Sequence, residues 1–125
     1  MNGMEDLQSP QSFAEIGRLD GRTAIVTGAG NGIGRAIAVC FARRGATVFC
    51  ADLDADSARR CADQIASMGG RALGRACDVA DPAQARSLVE EASACDGGLR
   101  VMVNNAAAFP PVSGVAEIDD AQWQR

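Results

Sequence analysis

The most informative segment of this 125-residue chain is Ala24-Ile25-Val26-Thr27-Gly28-Ala29-Gly30-Asn31-Gly32-Ile33-Gly34. Residues 24–26 form a continuous apolar run, as expected of a strand that is buried on both faces. Beyond the glycines, apolar residues recur at helical spacing and stop at Gly45; they are Ile33, Ala36, Ile37, Cys40 and Phe41. The pattern predicts a strand, a glycine-rich turn and a helix in direct succession.

The same alternation of strand and helix continues along the chain. Apolar runs predict strands at residues 46–51, 71–77 and 99–103, and the two arginines of the second of these runs suit a sheet edge. Apolar stripes predict helices around residues 58–66 and 85–92, and Asp81 and Pro82 start the latter. Strands that alternate with helices imply a parallel sheet with helices on both faces. The predicted fold class is therefore α/β, a doubly wound parallel sheet of the Rossmann type.

Both ends of the sequence carry signals of their own. Residues 1–20 are polar and aperiodic, which predicts a flexible extension before a single domain at residues 21–125. Near the other end, Asp119 and Gln122 form a capping box, and Ile118 and Trp123 form a hydrophobic staple, which together start a helix. The sequence stops soon afterwards, and the fourth strand is left as an apolar edge. We therefore expect the front part of a longer domain, truncated after the fourth strand.

The residue inventory excludes several kinds of chemistry. The sequence has no His and no Tyr, and all 12 basic residues are Arg, so Lys is absent as well. These absences exclude Ser-His-Asp hydrolysis, His metal sites, Schiff-base chemistry and a Walker-type phosphate loop. A net charge of −4 with scattered arginines argues against nucleic acid as a partner.

The cysteines and the N-terminus bear on the cellular compartment. Five cysteines without a Cys-x-x-Cys pair indicate structural thiols in a reducing compartment. Four of them lie within apolar patterns and are expected to be buried; these are Cys40, Cys50, Cys61 and Cys77. The N-terminus lacks the basic and apolar regions of a signal peptide, and no apolar run is long enough to span a bilayer. These features predict a cytoplasmic protein without a membrane partner.

The glycine-rich turn between the first strand and the first helix is suited to hold a pyrophosphate. Glycines without Cβ let the backbone turn sharply and approach the anion, and the helix directs free N–H groups and its positive dipole end at it. Gly34 lets the helix pack closely on the strand. The spacing is G-x-x-x-G-x-G rather than G-x-G-x-x-G, so the alternative is a simple tight connection between strand and helix.

Asp52 supplies a second element of a nucleotide site. It ends the second strand, 18 residues after Gly34, where a carboxylate can accept hydrogen bonds from the adenosine ribose hydroxyls. An acid at this place repels the 2′-phosphate of NADP, and Asn31 stands where a basic residue would precede Gly32. The predicted cofactor is therefore NAD. The alternative is that Asp52 or Asp54 caps the next helix.

Four marks in order make the sequence resemble the N-terminal half of the short-chain dehydrogenase/reductase family, from about residue 19 to its end. They are the TGAGNGIG turn, Asp52, the Asp78-Val79 pair and the run Asn104-Asn105-Ala106-Ala107. The resemblance implies that the glycine turn holds the pyrophosphate through Gly28, Gly32 and Gly34, with Asn31 and Ile33 beside it.

The resemblance also implies roles for residues later in the chain. Asp78 and Val79 would contact the adenine, Asn105 would position the cofactor and brace the central strands, and Ala106 would lie near the adenosine ribose. The alternatives are that Asp78 caps its loop and that the Asn pair caps a strand end.

The sequence departs from the family pattern at two points. Ala107 replaces the usual Gly of the N-N-A-G run, and the family's catalytic Ser and Tyr-x-x-x-Lys pair have no counterpart in a chain without Tyr or Lys. The family's catalytic Asn and its interface helices would lie beyond Arg125, so a homo-oligomer is expected of the complete protein only.

The resemblance implies the NAD(H)-binding half of an oxidoreductase that transfers a hydride between nicotinamide and a small-molecule alcohol or ketone. This chain would hold no catalytic residue and would be inactive alone. The alternative is a non-catalytic NAD-binding module or a vestigial fragment.

Overall fold

A four-stranded parallel sheet organises the computed structural model, which describes residues 15–108 and 114–124. The strands are β1 (Thr23–Thr27), β2 (Thr47–Asp52), β3 (Arg71–Ala76) and β4 (Leu99–Val103), in the spatial order β3-β2-β1-β4. All three neighbouring pairs are parallel. The predicted α/β class with a doubly wound parallel sheet is confirmed, and β3 occupies the edge that its arginines indicated.

Three long helices connect these strands. They are α1 (Gly32–Arg43), α2 (Ala55–Ser67) and α3 (Pro82–Ser93), and each starts and ends within a few residues of its predicted bounds. Asp54 and Asp81 cap α2 and α3 by accepting hydrogen bonds from backbone N–H groups of the first turn. A 3-10 turn (Val115–Glu117) and the short helix α4 (Asp120–Trp123) follow β4. The capping box predicted at Asp119 and Gln122 is present, whereas Trp123 is 81% exposed.

The core lies on both faces of β1 and β2. On one face Val26, Val48 and Cys50 pack with residues of α1 and α2. On the other face Ile25, Phe49 and Ala51 pack with Leu88 and Ala92 of α3. Alternate residues of a strand point to opposite faces, so two strands supply both layers of apolar contacts. The helices thereby cover the sheet on both sides, as the strand and helix alternation predicted.

The apolar stripe predicted for α1 is partly wrong. Ile33, Ala36 and Cys40 are exposed, and the buried residues of the helix are Gly34, Ala38 and Ala42. These three small residues, four apart, form the face that approaches the sheet, because small side chains permit the closest helix–sheet packing. The larger residues Ile37 and Phe41 flank this face and are partly buried against the core, whereas Ile33 lies on the outer side.

The cysteine prediction is correct for three of the four residues placed in apolar patterns. Cys50, Cys61 and Cys77 are buried, but Cys40 is exposed and Cys95 is intermediate. Cys40 lies on the outer side of α1 for the same reason as Ile33: small residues occupy the packed face of that helix. No disulfide links the five thiols, all of which lie in the described part of the chain.

The packed structure begins before residue 21. Leu19 packs against the α1–α2 side of the core, and its backbone N–H donates to the Arg44 carbonyl oxygen at 2.7 Å. Residues 1–14 of the predicted flexible extension lie outside the described residues. None of the helices that the structure describes has the length and apolar character needed to cross a membrane.

The two edges of the sheet differ in character. β3 carries Arg71 and Arg75, and the Arg75 guanidinium forms an ion pair with Glu91 of α3. β4 has the sequence Leu-Arg-Val-Met-Val with alternating exposure, and Met102 is 42% exposed. Among the described strands, β4 pairs only with β1.

Gly74 of β3 allows α2 to lie close to the sheet. A Cβ at this position would lie 2.8 Å from the carbonyl carbon and oxygen of Ala58 and from the Arg59 Cα. These are backbone atoms of a packed helix, which cannot rotate out of the way. The short distance between α2 and β3 therefore requires glycine at position 74.

We predict that Gly74→Ala lowers the free energy of unfolding by about 1–3 kcal/mol, the usual range for overpacking. The matched control is Gly114→Ala, where a Cβ would approach no described atom closer than 3.8 Å. Urea unfolding followed by circular dichroism measures both variants. Equal midpoints for Gly74→Ala and the parent chain would contradict the packing argument.

Candidate nucleotide-binding site

The carboxyl ends of β1, β2 and β4 meet at one edge of the sheet and border an open cavity of about 420 Å³. Its lining combines residues from three parts of the chain: Gly28, Asn31, Ile33, Asp52, Leu53, Asn105, Ala106 and Ala107. Six of the ten predicted site residues are among them. In open parallel α/β sheets this edge is where ligands bind, and the volume falls within the range of cofactor sites.

The glycine turn approaches its neighbours so closely that side chains are excluded. A Cβ on Gly34 would lie 2.1 Å from the Gly28 carbonyl oxygen and 2.6 Å from the Asn105 Nδ2 atom. Gly28 has a φ of +65°, in the left-handed region that favours glycine, and its own Cβ would lie 2.9 Å from Asn105 Nδ2. The turn therefore folds directly against the start of α1 and against the residues that follow β4.

The N-terminus of α1 differs from those of α2 and α3. Asn31 is the N-cap residue, but its side chain accepts no capping hydrogen bond, and the first turn contains no acidic residue. In contrast, aspartate side chains cap both α2 and α3. The first N–H groups of any helix have no partner within the helix. At α1 these donors and the positive end of the helix dipole are thus available to an anion.

Asp52 links the end of β2 to the glycine turn. Its Oδ2 atom accepts a hydrogen bond from the Gly30 N–H at 2.9 Å, and its Oδ1 atom accepts one from the Asp54 N–H at 3.0 Å. A carboxylate has about four acceptor sites, so each oxygen keeps a lone pair for a further donor. The side chain is only partly buried and faces the cavity, where hydroxyl donors of a ligand can reach it.

The helix-capping alternative applies to Asp54 and not to Asp52. Asp54 accepts from the Asp56 N–H at 3.0 Å and from the Ser57 hydroxyl at 2.8 Å. The hydrogen bond from Ser57, followed by that from Asp56, holds the pKa of Asp54 below its ordinary value. Asp52 is therefore left to the glycine turn and the cavity.

Asn105 and Thr27 tie the end of β4 to the end of β1. The Asn105 Nδ2 atom donates to the carbonyl oxygens of Thr27 at 3.1 Å and of Gly28 at 3.4 Å. The Thr27 hydroxyl accepts from the N–H groups of Asn105 and Ala106, both at 3.0 Å, and donates to the Val103 carbonyl oxygen. These hydrogen bonds link β4 to β1, as expected if Asn105 braces the central strands. They also cap the ends of both strands, which was the alternative interpretation of the Asn pair.

Asp78 and Val79 follow β3 and do not line the cavity. The Asp78 Oδ1 atom accepts from the Ala80 N–H at 2.9 Å, which is the loop-capping bond posed as the alternative. The Gln84 side chain links this loop to the start of α3, because its Oε1 atom accepts from the Asp78 N–H at 2.9 Å and its Nε2 atom donates to the Asp81 carboxylate at 3.0 Å. Val79 is 48% exposed. Contact of these two residues with an adenine stays a prediction.

Sequence reasoning missed three residues of the site. Leu53 lines the cavity although it is 75% exposed, and Ala107 completes the lining beside Ala106. Thr27 lies beneath the cavity as the centre of the strand-end network. An apolar residue directly after a strand-end carboxylate, and a hydroxyl directly before a glycine turn, were the signals available for Leu53 and Thr27. Gly32 and Gly34 do not line the cavity; Gly34 lies at its base, against Gly28.

We predict that Thr27→Val lowers the free energy of unfolding by about 2–4 kcal/mol, since two part-buried N–H donors lose their acceptor at about 1–3 kcal/mol each. Valine keeps the shape and strand propensity of threonine, so the decrease in the free energy of unfolding measures the contribution of the hydroxyl group. Thr47→Val at the start of β2 is the matched control outside this network. Chemical unfolding of both variants provides the measurement, and similar losses in the two would refute a special role for Thr27.

Comparisons with known proteins agree with this geometry. The family model described as short chain dehydrogenase matches residues 22–125. The chain is 42% identical over 94 residues to the 7alpha-hydroxysteroid dehydrogenase of Escherichia coli, covering 75% of this chain and 37% of that protein. It is 40% identical over 105 residues to the D-threitol dehydrogenase of Mycolicibacterium smegmatis, covering 84% of this chain and 38% of that protein.

The fold comparison gives the same result. The crystal structure of hydroxysteroid dehydrogenase from Escherichia coli matches with a TM-score of 0.69 at 42% identity, covering 73% of this chain and 39% of that one. The chain thus spans about two fifths of the length of these relatives. The parallel sheet, the glycine turn and the strand-end residues accord with these matches. The family model matches residues 22–125, which is well over half of the chain, so the chain belongs to the short-chain dehydrogenase family.

Proposed function

We propose that this chain binds NAD(H) as the cofactor half of a short-chain oxidoreductase. The observation that carries the proposal is the uncapped N-terminus of α1, which opens onto a cavity that also contains the Asp52 carboxylate. A dinucleotide requires an anion-binding site for its pyrophosphate and a hydrogen-bond acceptor for its ribose hydroxyls. The N-terminus of α1 and the Asp52 carboxylate provide these two elements at adjacent strand ends. Membership in a family of oxidoreductases supports the same assignment.

The glycine turn fits a pyrophosphate. Gly34 and Gly28 leave no space for a Cβ, so the backbone forms a tight cradle at the helix end. Gly32 has a φ of +56° with open space beside it, which leaves room for a ligand next to the backbone. Asn31 and Ile33 flank this cradle on the cavity side. The pyrophosphate would accept hydrogen bonds from the free N–H groups of the first turn of α1.

Asp52 favours NAD over NADP. Its two oxygens would accept hydrogen bonds from the 2′- and 3′-hydroxyls of the adenosine ribose, in addition to the bonds from Gly30 and Asp54. A 2′-phosphate would place a second negative group against this carboxylate. Among the described residues that line the cavity there is no arginine to offset that repulsion. The charge of the site therefore supports the nucleotide without the phosphate.

The remaining site residues suit the adenosine half of the cofactor. Leu53 presents an exposed apolar side chain at the rim of the cavity, beside Asp52, where it would cover the adenine ring. Asp78 and Val79 would contact the adenine from the end of the next strand, as family members are expected to do. Ala106 would lie near the ribose. Asn105 would hold Ala106 in place beside the glycine turn through its hydrogen bond to the Thr27 carbonyl oxygen.

The complete oxidoreductase would transfer a hydride between nicotinamide and an alcohol or ketone. The cofactor supplies the hydride chemistry, and the residues of this chain bind and orient it. Alcohol oxidation also requires a group that takes the hydroxyl proton as the hydride leaves carbon. The chain contains no Tyr, Lys or His for this purpose. The proton transfer would therefore depend on residues other than these 125.

A second candidate function is a non-catalytic NAD-binding module. The same residue inventory favours it, because the family's Tyr-Lys pair has no counterpart in these 125 residues. The two candidates share the cofactor site and differ in whether a proton-transfer group completes it.

We predict that Asp52→Ala weakens NAD binding about 10- to 100-fold, the range for losing hydrogen bonds to a charged group. The affinity for NADP should fall much less, because the repulsion of the 2′-phosphate disappears together with the acceptor. Calorimetric titration with both nucleotides gives the ratio. General loosening of the glycine turn would weaken both equally and leave the ratio unchanged, which would contradict the ribose assignment.

Asp54→Ala is the matched control, since it removes a neighbouring carboxylate that caps α2. It should lower the midpoint of urea unfolding, as the loss of an N-cap does, and leave the ratio of NAD to NADP affinity unchanged.

We predict that the 125-residue chain binds NAD but forms no NADH with any alcohol. Absorbance at the NADH band, followed over hours with cyclohexanol and short secondary alcohols, measures this. NADH formation that disappears in Gly34→Ala would overturn the prediction and would assign a complete catalytic site to this chain.

A further inference from the structure

A second concave surface lies on the outer side of α1 and α2, apart from the nucleotide cavity. This basic groove has a volume of about 510 Å³ and runs along α1 from Gly32 to Arg44. Its polar lining consists of Arg35 and Arg43 from α1, Arg44 at the C-cap of α1, and Gln64 from α2. No carboxylate is among the described residues that line it, although acidic residues outnumber basic ones in the chain, 16 to 12.

The three arginines of the basic groove have no acidic partner in the described structure. The ion pairs found there involve Arg18, Arg59 and Arg75 instead. Arg43 reaches only the Met68 sulfur, at 3.9 Å. Guanidinium groups present several donors in a fixed plane that matches carboxylate and phosphate oxygens. A cluster of them without a carboxylate is therefore suited to an external anion.

Arg35 is the residue whose position secondary structure does not explain. Arg43 and Arg44 lie at the C-terminal end of α1, where the helix dipole favours a cation, but Arg35 is the fourth residue of the helix, at its positive end. Its Nε atom is buried and has no hydrogen-bond partner among the described residues. A buried donor without an acceptor is unfavourable. The side chain that carries it lines the basic groove, where a bound anion would pair with the guanidinium.

The spacing along the basic groove indicates the shape of the anion. Arg35, Val39 and Arg43 are four residues apart and share one face of α1, so the two arginines are about 12 Å apart along the helix axis. Val39 and the exposed Cys40 lie between them. A ligand that matches this groove carries negative groups at its two ends and an apolar group in the middle. Glutamates at the first and fifth positions of an extended peptide span about 13 Å, with an apolar residue between them.

We propose that the basic groove between α1 and α2 binds an acidic peptide segment of a partner protein. The glutamates of that segment pair with Arg35 at one end and with Arg43 and Arg44 at the other, and a central apolar residue lies on Val39. The apolar centre distinguishes this ligand from an inorganic polyphosphate, which would place charge over Val39. The basic groove adjoins the glycine turn at Gly32, but none of its three arginines lines the nucleotide cavity, so this binding does not rest on the proposed cofactor.

The test uses the 125-residue chain and a fluorescein-labelled pentapeptide, Glu-Ser-Leu-Ser-Glu, with Gln-Ser-Leu-Ser-Gln as its uncharged counterpart. Fluorescence anisotropy should show saturable binding of the acidic peptide, at least about tenfold tighter than that of the uncharged one, and weaker at high salt. The Arg43→Gln, Arg44→Gln double variant should bind about fivefold or more weakly. The control is Arg86→Gln on α3, across the sheet from the groove, which should bind like the parent chain.

A second measurement needs no variant. The Arg35 Nε–H resonance in a nitrogen-15 NMR spectrum should shift on addition of the acidic peptide and stay in place with the uncharged one. Equal binding of the two peptides, or equal loss in the Arg86 control, would overturn the proposal. So would tighter binding of inorganic tripolyphosphate than of the peptide. A dimer that forms at high concentration and is lost in the double variant would assign the groove to a second copy of the chain and would also overturn it.

Discussion

The contact between Gly34 and the Gly28 carbonyl oxygen is the constraint on which the rest of the site depends. A methyl group at position 34 would lie 2.1 Å from that oxygen, so the start of α1 can lie over the end of β1 only without side chains. The same approach brings Asn105 against both glycines. Strand β4 is thereby fixed beside β1 at the point where the helix begins. The cavity forms where the end of β1, the start of α1 and the residues after β4 are in direct contact.

Hydrogen bonds from the strand ends hold this convergence in place. Thr27 joins β1 to β4 through its hydroxyl, and Asp52 joins β2 to the glycine turn through the Gly30 N–H. The Ala29 N–H also donates to the Ala51 carbonyl oxygen at 3.0 Å. Each of these bonds connects residues more than twenty positions apart in sequence. The site is therefore a product of the sheet topology, and its polar groups stabilise the fold as well as face the cavity.

Most of the fold could be predicted from the sequence because its signals are local. The apolar run before the glycines, Gly45 after α1 and Asp81 before α3 each act within one turn of the chain, and each prediction is confirmed. The packed face of α1 could not be predicted from hydrophobicity. Alanine and glycine face the sheet there because the interlayer distance excludes larger side chains, and that distance is set by residues elsewhere in the sheet.

The candidate site was predictable to a similar extent. Asp52 and the glycines followed from spacing, and the resemblance supplied Asn105, but no local pattern distinguished Asp52 from Asp54 as the helix cap. The distinction depends on the Gly30 N–H, which belongs to another strand–helix unit. Leu53 was missed because an apolar residue directly after a strand-end carboxylate is a weak signal until the opposite wall of the cavity is known.

The two edge strands of the sheet differ in how readily another strand can pair with them. The edge strand β3 carries Arg71 and Arg75, and charged residues on an edge strand oppose the addition of another strand. β4 presents a mostly apolar strand that pairs on one side among the described strands. A strand added to this sheet would therefore pair more readily with β4 than with β3. Two copies joined through β4 would expose only their β3 edges, so association by this route ends at a pair and does not continue into a fibre.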